Sequence, residues 1–131
     1  LNAAPVRARA RESLEGAEVL TSRAALHPAI WVGGLPPFRR KFRPSLAWRL
    51  ALVGEGRHDA MLTVRPAWEW DIAAGALIAE EAGARVTDAE GRPLRFNAPS
   101  ARSAGVIAAA EPLHGAILGR LRGPGGAAAS A

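Results

Sequence analysis

The chain has 131 residues, of which 49% are hydrophobic and 22% are charged, and this balance predicts one globular domain with a single core. It contains no cysteine, which excludes disulfides, zinc-thiolate sites and thiol nucleophiles. No apolar run is long enough to span a membrane, and the first residues lack the pattern of a secretory signal, so we expect a cytoplasmic protein. The sequence begins with Leu1 rather than Met, and we therefore expect it to start inside a longer reading frame.

The net charge of +5 allows a phosphate-bearing partner, although the abundance of Ala, Gly and Pro indicates that a compositional bias contributes to it. The densest basic segment is Arg39-Arg40-Lys41 with Arg43. A short charge run is usually a solvated loop, and this is the interpretation we favour. A phosphate clamp is the functional alternative, whereas a nucleic-acid partner is not expected.

The first half of the chain alternates strand and helix patterns. A strand is predicted over 17–21, and a loop over 27–44, because that stretch contains a Gly-Gly and a Pro-Pro pair. A helix is predicted over 46–53, where apolar residues recur at i, i+4 and i+7, with Pro44 in its first turn. A second strand is predicted over 60–64.

The second half carries the clearest helix, which Asp71 opens as its N-cap and Gly83 closes. Its predicted buried face consists of Ala74, Leu77, Ile78 and Ala82. The remaining features are a strand over 85–87, a turn over 88–91, a strand over 104–108 and a helix over 112–121.

This alternation without an internal repeat predicts an α/β fold in which helices flank a mixed sheet. The α/β unit is expected to cover residues 1–122. The Gly- and Ala-rich end over 123–131 is expected to be a disordered tail.

Candidate chemistry is concentrated in the segment Trp68-Glu69-Trp70-Asp71, at a strand-to-helix junction. A carboxylate at a helix start is favoured by the helix dipole and can bind a hard cation such as Mg²⁺ through oxygen. The small residues over 73–75 would let a ligand approach the backbone. The structural alternative is that Asp71 only caps the helix and that the tryptophans belong to the core.

This region resembles the inositol monophosphatase superfamily. The segment over 70–83, WDIAAGALIAEEAG, resembles the second signature of that superfamily, W-D-x-A-A/G-A/G, and its following helix. The stretch SLAWRLALVGEGRHDA over 45–60 and the stretch VTDAEGRPL over 86–94 are similar to further family segments. The first five residues resemble the family's N-G-x-P segment, so the likeness extends from there to about Arg122. It implies the C-terminal subdomain of a layered α/β fold.

The resemblance also implies roles for individual residues. Asp71 falls on a metal-ligand position, and Glu69 looks like the acidic position of the bisphosphate-nucleotidase branch, where it can accept a hydrogen bond from substrate. Ser22 and Arg23 are similar to residues that approach substrate phosphate in that branch, although Ala24 and Ala25 follow where a His is usual. Ser45 falls on a serine at the entry to a helix whose backbone amides face the substrate.

The family's G-E-E carboxylates and its D-P-x-D-G-T motif have no counterpart in this sequence. In the family they precede the N-G-x-P segment, and they supply most of the Mg²⁺ ligands. The resemblance therefore implies the C-terminal half of a magnesium-dependent phosphatase, inactive alone, which needs its N-terminal half and is able to form homodimers. His27, His58 and His114 lie in separate segments and are expected to be surface or packing residues.

The expected substrate is a small phosphorylated molecule, preferably a 3′(2′),5′-bisphosphate nucleotide. Inositol or another sugar phosphate is the alternative within the family. An alternative of another class is a non-catalytic binding module that uses the residues from Arg39 to Arg43 on a polyanion.

Overall fold

The fold was analysed in a computed structural model that describes residues 5–94, 96 and 102–121. The described strands are β1 (Glu18–Leu20), β2 (Arg39–Lys41), β3 (Ala60–Thr63), β4 (Ala67–Trp68), β5 (Arg85–Thr87), β6 (Arg102–Ser103) and β7 (Val106–Ala109). The described α-helices are α1 (Leu46–Gly54), α2 (Glu69–Glu81) and α3 (Leu113–Arg120), and 3₁₀ turns cover Arg23–Leu26 and Pro28–Ile30.

The main sheet has the strand order β2-β1-β3-β7-β5. Strand β1 is parallel to both of its neighbours, whereas β7 is antiparallel to β3 and β5. Four strands therefore run in one direction and β7 runs in the other. The predicted mixed sheet flanked by helices is confirmed. Strands β4 and β6 form a separate antiparallel pair.

The sheet separates two hydrophobic clusters because successive side chains of a strand point to opposite faces. Leu20 and Met61 pack with α1 and α2 on one face. Val19 and Leu62 pack with Ile117 of α3 on the other. The protein is thus built of three layers, with two helices on one side of the sheet and one on the other.

Helices α1 and α2 pack closely side by side because glycines lie at their contact. A Cβ atom added to Gly75 would be 2.8 Å from Cβ of Leu50, and one added to Gly54 would be 3.3 Å from Cγ2 of Ile78. The small size of Gly75 therefore serves the packing of the two helices, rather than the approach of a ligand that the sequence suggested.

Two predictions about α2 are wrong. The helix begins at Glu69 after Trp68 as N-cap, so Asp71 is its third residue and not its cap. Of the predicted buried face only Ala82 is buried, because the residues of the helix that pack on α1 and the sheet are Ile72, Gly75, Ala76 and Ala79. Leu77 and Ile78 are instead 60% and 47% exposed. Since α2 is apolar or small on nearly all sides, periodicity alone could not select the face that is covered.

The predicted loop over 27–44 contains strand β2, which the sequence analysis missed. Its three residues Arg39-Arg40-Lys41 form the outer strand of the sheet, where charged side chains are common. The prediction of a solvated loop is therefore wrong for the basic segment. Pro44 also lies outside α1, whose N-cap is Ser45.

The other predicted strands and helices are confirmed within a few residues, as is the turn at Asp88, which accepts hydrogen bonds from the backbone N–H groups of Glu90 and Arg92. The predicted tail over 123–131 and residues 1–4 lie outside the described residues. Within the described ranges, none of the helices has the length and apolarity needed to cross a membrane.

Candidate functional site

The carboxyl ends of β1, β2, β3 and β5 lie at one edge of the sheet because these strands run in the same direction. Helix α1 follows β2, and helix α2 follows β3 after the two-residue strand β4, so both helices begin at this edge. Unpaired N–H groups and the helix dipole give each N-terminus a partial positive charge. Ligands of α/β proteins usually bind outside the carboxyl ends of parallel strands, which makes this edge the candidate site.

Three of the sequence-predicted residues lie at this edge, in the segments that follow β1 and β2. Ser22 is half-buried and Arg23 is exposed, and they follow β1 at the start of a 3₁₀ turn. Ser45 follows β2 and caps α1, since its Oγ accepts a hydrogen bond from the N–H of Trp48 at 3.2 Å. Its hydroxyl proton remains able to donate to a ligand.

The two predicted carboxylates lie in the first turn of α2, at the same edge. Asp71 is exposed and Glu69 is half-buried. Residues two positions apart in a helix do not share a face, so their carboxylates do not converge on one ion. A negative charge in this turn interacts favourably with the helix dipole.

A stacked pair of indole rings adjoins the first turn of α2. The rings of Trp68 and Trp70 are 4.6 Å apart and 12° from parallel, and Trp70 is 68% exposed. The guanidinium of Arg102 lies 4.2 Å from the ring of Trp68. These tryptophans are therefore not core residues, contrary to the structural alternative considered from the sequence.

The described residues fit a metal site only in part. Among them, no group of three or more His, Cys, Asp or Glu side chains could hold an ion. Asp71 can supply one carboxylate ligand, and the octahedral shell of Mg²⁺ would need further oxygens.

The histidines do not extend this set. His114 is fully buried with its Nε2 2.8 Å from Thr87 Oγ1, and His27 accepts a hydrogen bond from the N–H of Ala29. His58 is half-buried, and burial lowers its pKa.

Sequence reasoning missed Arg49, a charged residue only 6% exposed on the inner side of α1. Its Nε donates a hydrogen bond to the carbonyl of Arg43 at 2.5 Å. Burial, followed by the positive charge of Arg40, lowers the pKa of Arg49. The sequence held a signal, because Arg49 occupies the i+3 position of the apolar stripe that begins at Leu46.

A mixed sheet with two helix N-termini, hydroxyl groups and buried cationic charge at one edge defines a layered α/β protein suited to bind anions. More specifically, the chain belongs to the inositol monophosphatase family. The profile of that family, described as "Inositol monophosphatase family", matches residues 5–123. A comparison with curated protein sequences gave no match.

Solved structures support the same fold. The extragenic suppressor protein SuhB of Bartonella henselae is 28% identical, with a TM-score of 0.70 over 89% of this chain and 47% of that chain. The IMPase of Thermotoga maritima is also 28% identical, with a TM-score of 0.71 over 90% of this chain and 45% of that chain. An inositol monophosphatase from Anabaena (Nostoc) is 23% identical, with a TM-score of 0.71 over 89% and 47%.

The chain thus spans less than half the length of these structures. The family membership of residues 5–123 is shown, whereas the bisphosphate-nucleotidase branch named from the sequence is not.

Proposed function

We propose that this chain is the C-terminal half of a magnesium-dependent phosphate monoester hydrolase. The observation that carries the proposal is the position of Asp71, in the first turn of α2 at the carboxyl edge and in the segment that resembles the family's W-D signature. Ser22, Arg23, Ser45 and Glu69 are proposed to contact substrate, because the topology brings them to the same edge.

Asp71 is proposed to hold one magnesium ion, and this chain alone is expected to be inactive because one carboxylate cannot assemble a multi-metal site. When bound, magnesium would activate a water molecule and neutralise phosphoryl charge. The contribution of α2 is to hold Asp71 in a first turn at the edge, where the helix dipole favours a negative charge.

The remaining metal ligands are proposed to come from the half of the family fold that precedes this region. The outer side of the helix layer supports this proposal, because Trp48, Leu77 and Ile78 are 48%, 60% and 47% exposed there. A helix that is apolar on all sides is normally buried on all sides. A second layer packed on α1 and α2 would cover these side chains.

The proposed substrate is a small phosphorylated molecule, preferably a 3′(2′),5′-bisphosphate nucleotide. The exposed, stacked rings of Trp68 and Trp70 beside Glu69 favour a nucleotide, since a base can stack on an exposed indole for about 1–3 kcal/mol. Inositol phosphates lack an aromatic base. A comparison of kcat/KM between a bisphosphate nucleotide and an inositol phosphate would therefore separate the two substrate classes.

The test of the metal-ligand role is Asp71→Asn in a protein that carries both halves. The change removes one exposed charge near the helix dipole, so the free energy of unfolding should change by less than about 1 kcal/mol. The rate with saturating substrate should fall by on the order of a hundredfold, as for the loss of one strong electrostatic stabiliser, and more Mg²⁺ should be required.

Glu80→Gln is the matched control, because it removes one exposed carboxylate from the other end of the same helix. It should leave both the rate and the magnesium dependence unchanged. A wild-type rate and wild-type magnesium dependence in Asp71→Asn would refute the assignment of Asp71 as a metal ligand.

A further inference from the structure

Arg49 carries a buried positive charge that no carboxylate among the described residues balances. Its side chain contacts are the carbonyl of Arg43 and the ring of Phe42, whose centroid is 5.0 Å from the guanidinium carbon. A carbonyl and an aromatic face attract a cation, but neither removes its net charge. Buried charges in proteins are normally paired because desolvation of an isolated ion is costly.

Arg40 brings a second positive charge to the same ring. Its guanidinium carbon is 5.5 Å from the centroid of Phe42, and its Nε donates to the carbonyl of Thr21 at 3.1 Å. Arg40 also has no ion pair within the part of the chain that the structure describes. Two guanidinium groups thus lie against one aromatic ring, close enough for one to lower the pKa of the other.

Some other arginines of the described chain form ion pairs. Arg92 lies 3.0 Å from the carboxylate of Asp88 and 2.7 Å from that of Glu90. Arg9 lies 3.1 Å from Glu18. Exposed arginines such as Arg23 and Arg39 have no ion pair in the described part of the chain either, but water solvates their charge. What distinguishes this corner is that the unpaired charge of Arg49 is buried.

The position of the pair in the fold suggests what balances it. Arg40 lies on β2 and its side chain reaches the backbone of Thr21, beyond the end of β1. Phe42 and Arg43 connect β2 to the N-terminus of α1, where Ser45 keeps a hydroxyl proton free to donate. The two guanidinium groups are thus next to the carboxyl edge that forms the candidate site.

We propose that Arg40 and Arg49 together bind a phosphate group of a small molecule. A phosphate dianion matches the two positive charges, and its several oxygens can accept from both guanidinium groups. A carboxylate has a single charge and would leave one arginine uncompensated. Under the proposed function, this site takes a phosphate group other than the one that is hydrolysed, so a bisphosphorylated substrate uses it and a monophosphate does not.

The binding of inorganic phosphate to this chain tests the site without relying on catalysis. Phosphate would be titrated at pH 7.5 and constant ionic strength against chloride, with the arginine Nε–Hε resonances and the melting temperature as readouts. We expect saturable shifts of the Arg40 and Arg49 resonances, together with a melting temperature that rises with phosphate concentration.

The matched variants are Arg40→Gln and Arg39→Gln, which remove the same charge from neighbouring positions of β2 that point to opposite faces. Arg40→Gln should weaken phosphate binding by about tenfold or more, because it removes a charge-assisted hydrogen bond to the phosphate. Arg39→Gln should bind as the wild type does. Arg49→Met, which preserves the apolar stem, should also weaken phosphate binding about tenfold. If this variant fails to fold, the comparison of Arg40→Gln with Arg39→Gln and the resonance shifts of the wild type still test the proposal.

The proposal would be overturned by any of three results. These are phosphate binding that does not saturate, resonance shifts that leave Arg49 unchanged, and an equal loss of phosphate affinity in Arg39→Gln and Arg40→Gln. Failure of the proposed hydrolase function can be distinguished from failure of this phosphate site. A full-length protein without phosphatase activity, whose C-terminal half still binds phosphate through Arg40, would refute the hydrolase and leave this site intact. In an active enzyme, Arg40→Gln should lower kcat/KM for a bisphosphate about tenfold and leave the monophosphate unaffected.

Discussion

Gly75 allows α1 and α2 to pack closely, so a single methyl group at this position is a direct test of the helix layer. A Cβ at residue 75 would lie 2.8 Å from Cβ of Leu50, 2.9 Å from its Cδ1 and 3.3 Å from the carbonyl oxygen of Ala47. Leu50 is fully buried, and its Cβ is fixed to the backbone. Relief of this contact therefore requires one helix to move.

Two effects of Gly75→Ala oppose each other. Alanine improves helix propensity by about 1 kcal/mol relative to glycine. Overpacking of a core costs about 1–3 kcal/mol, and the upper part of this range applies because the nearest atom cannot rotate away. We therefore expect a net loss of about 1–2 kcal/mol in the free energy of unfolding. For a domain of this size, this loss lowers the melting temperature by roughly 3–8 °C.

Gly119→Ala is the matched control because Gly119 is also helical and a Cβ there would meet nothing within 4 Å. It should gain stability, by about 0.5 kcal/mol near the end of α3, where helices fray. Urea denaturation of both variants measures the difference. If Gly75→Ala were as stable as Gly119→Ala, the close packing of α1 on α2 would be refuted.

Two further predictions concern a buried histidine and an exposed leucine. Burial, and then Arg85, lower the pKa of His114 in spite of Glu111, so the unfolded chain binds a proton more readily than the folded chain does. The stability that His114 contributes should therefore be complete above its ordinary pKa of about 6.5 and fall as the pH drops toward the lowered value. His114→Gln keeps a donor to Thr87 but does not titrate, so its denaturation midpoints at pH 5.5 and 7.5 should differ less than those of the wild type. The same difference in both proteins would exclude His114 as the cause. Leu77→Ala should change the stability of this chain by less than about 0.5 kcal/mol but cost about 2–5 kcal/mol in a protein with both halves. A small loss of stability in both proteins would contradict the proposal that a second layer covers Leu77.

The fold could be predicted where local pattern and tertiary environment agree. Helix α1 was predicted nearly to the residue, since its apolar stripe faces the sheet and Ser45 caps it. Strand β2 could not be predicted, because its pairing with β1 depends on backbone hydrogen bonds that any sequence can make. Three basic residues show no alternation of apolar and polar side chains, so nothing local distinguishes them from a loop.

The site residues were found from motif resemblance, whereas their common location follows from topology. Only the parallel pairing of β1 with β2 and β3 brings the residues that follow these strands to one edge. Asp71 was predicted as the N-cap of α2, whereas Trp68 is the N-cap and Asp71 lies three positions after it, an ordinary error for an element boundary inferred from sequence. Arg49 was overlooked because a single arginine in an apolar stripe is usually exposed through its long side chain. Its burial depends on Phe42, which only the fold brings against it.

The displaced face of α2 bears on the proposed two-half protein. The pattern of Ala74, Leu77, Ile78 and Ala82 is a real apolar stripe, and it predicts a face that a core should cover. Helix α1 and the sheet cover a different stripe of the same helix, which includes Ile72, and of the predicted stripe only Ala82 at its end is buried. An ordinary surface helix needs only one apolar stripe, so the second one requires its own partner. The solved relatives are about twice as long as this chain, and a layer from that additional length would bury the second stripe and bring further carboxylates toward the end of the helix that carries Asp71.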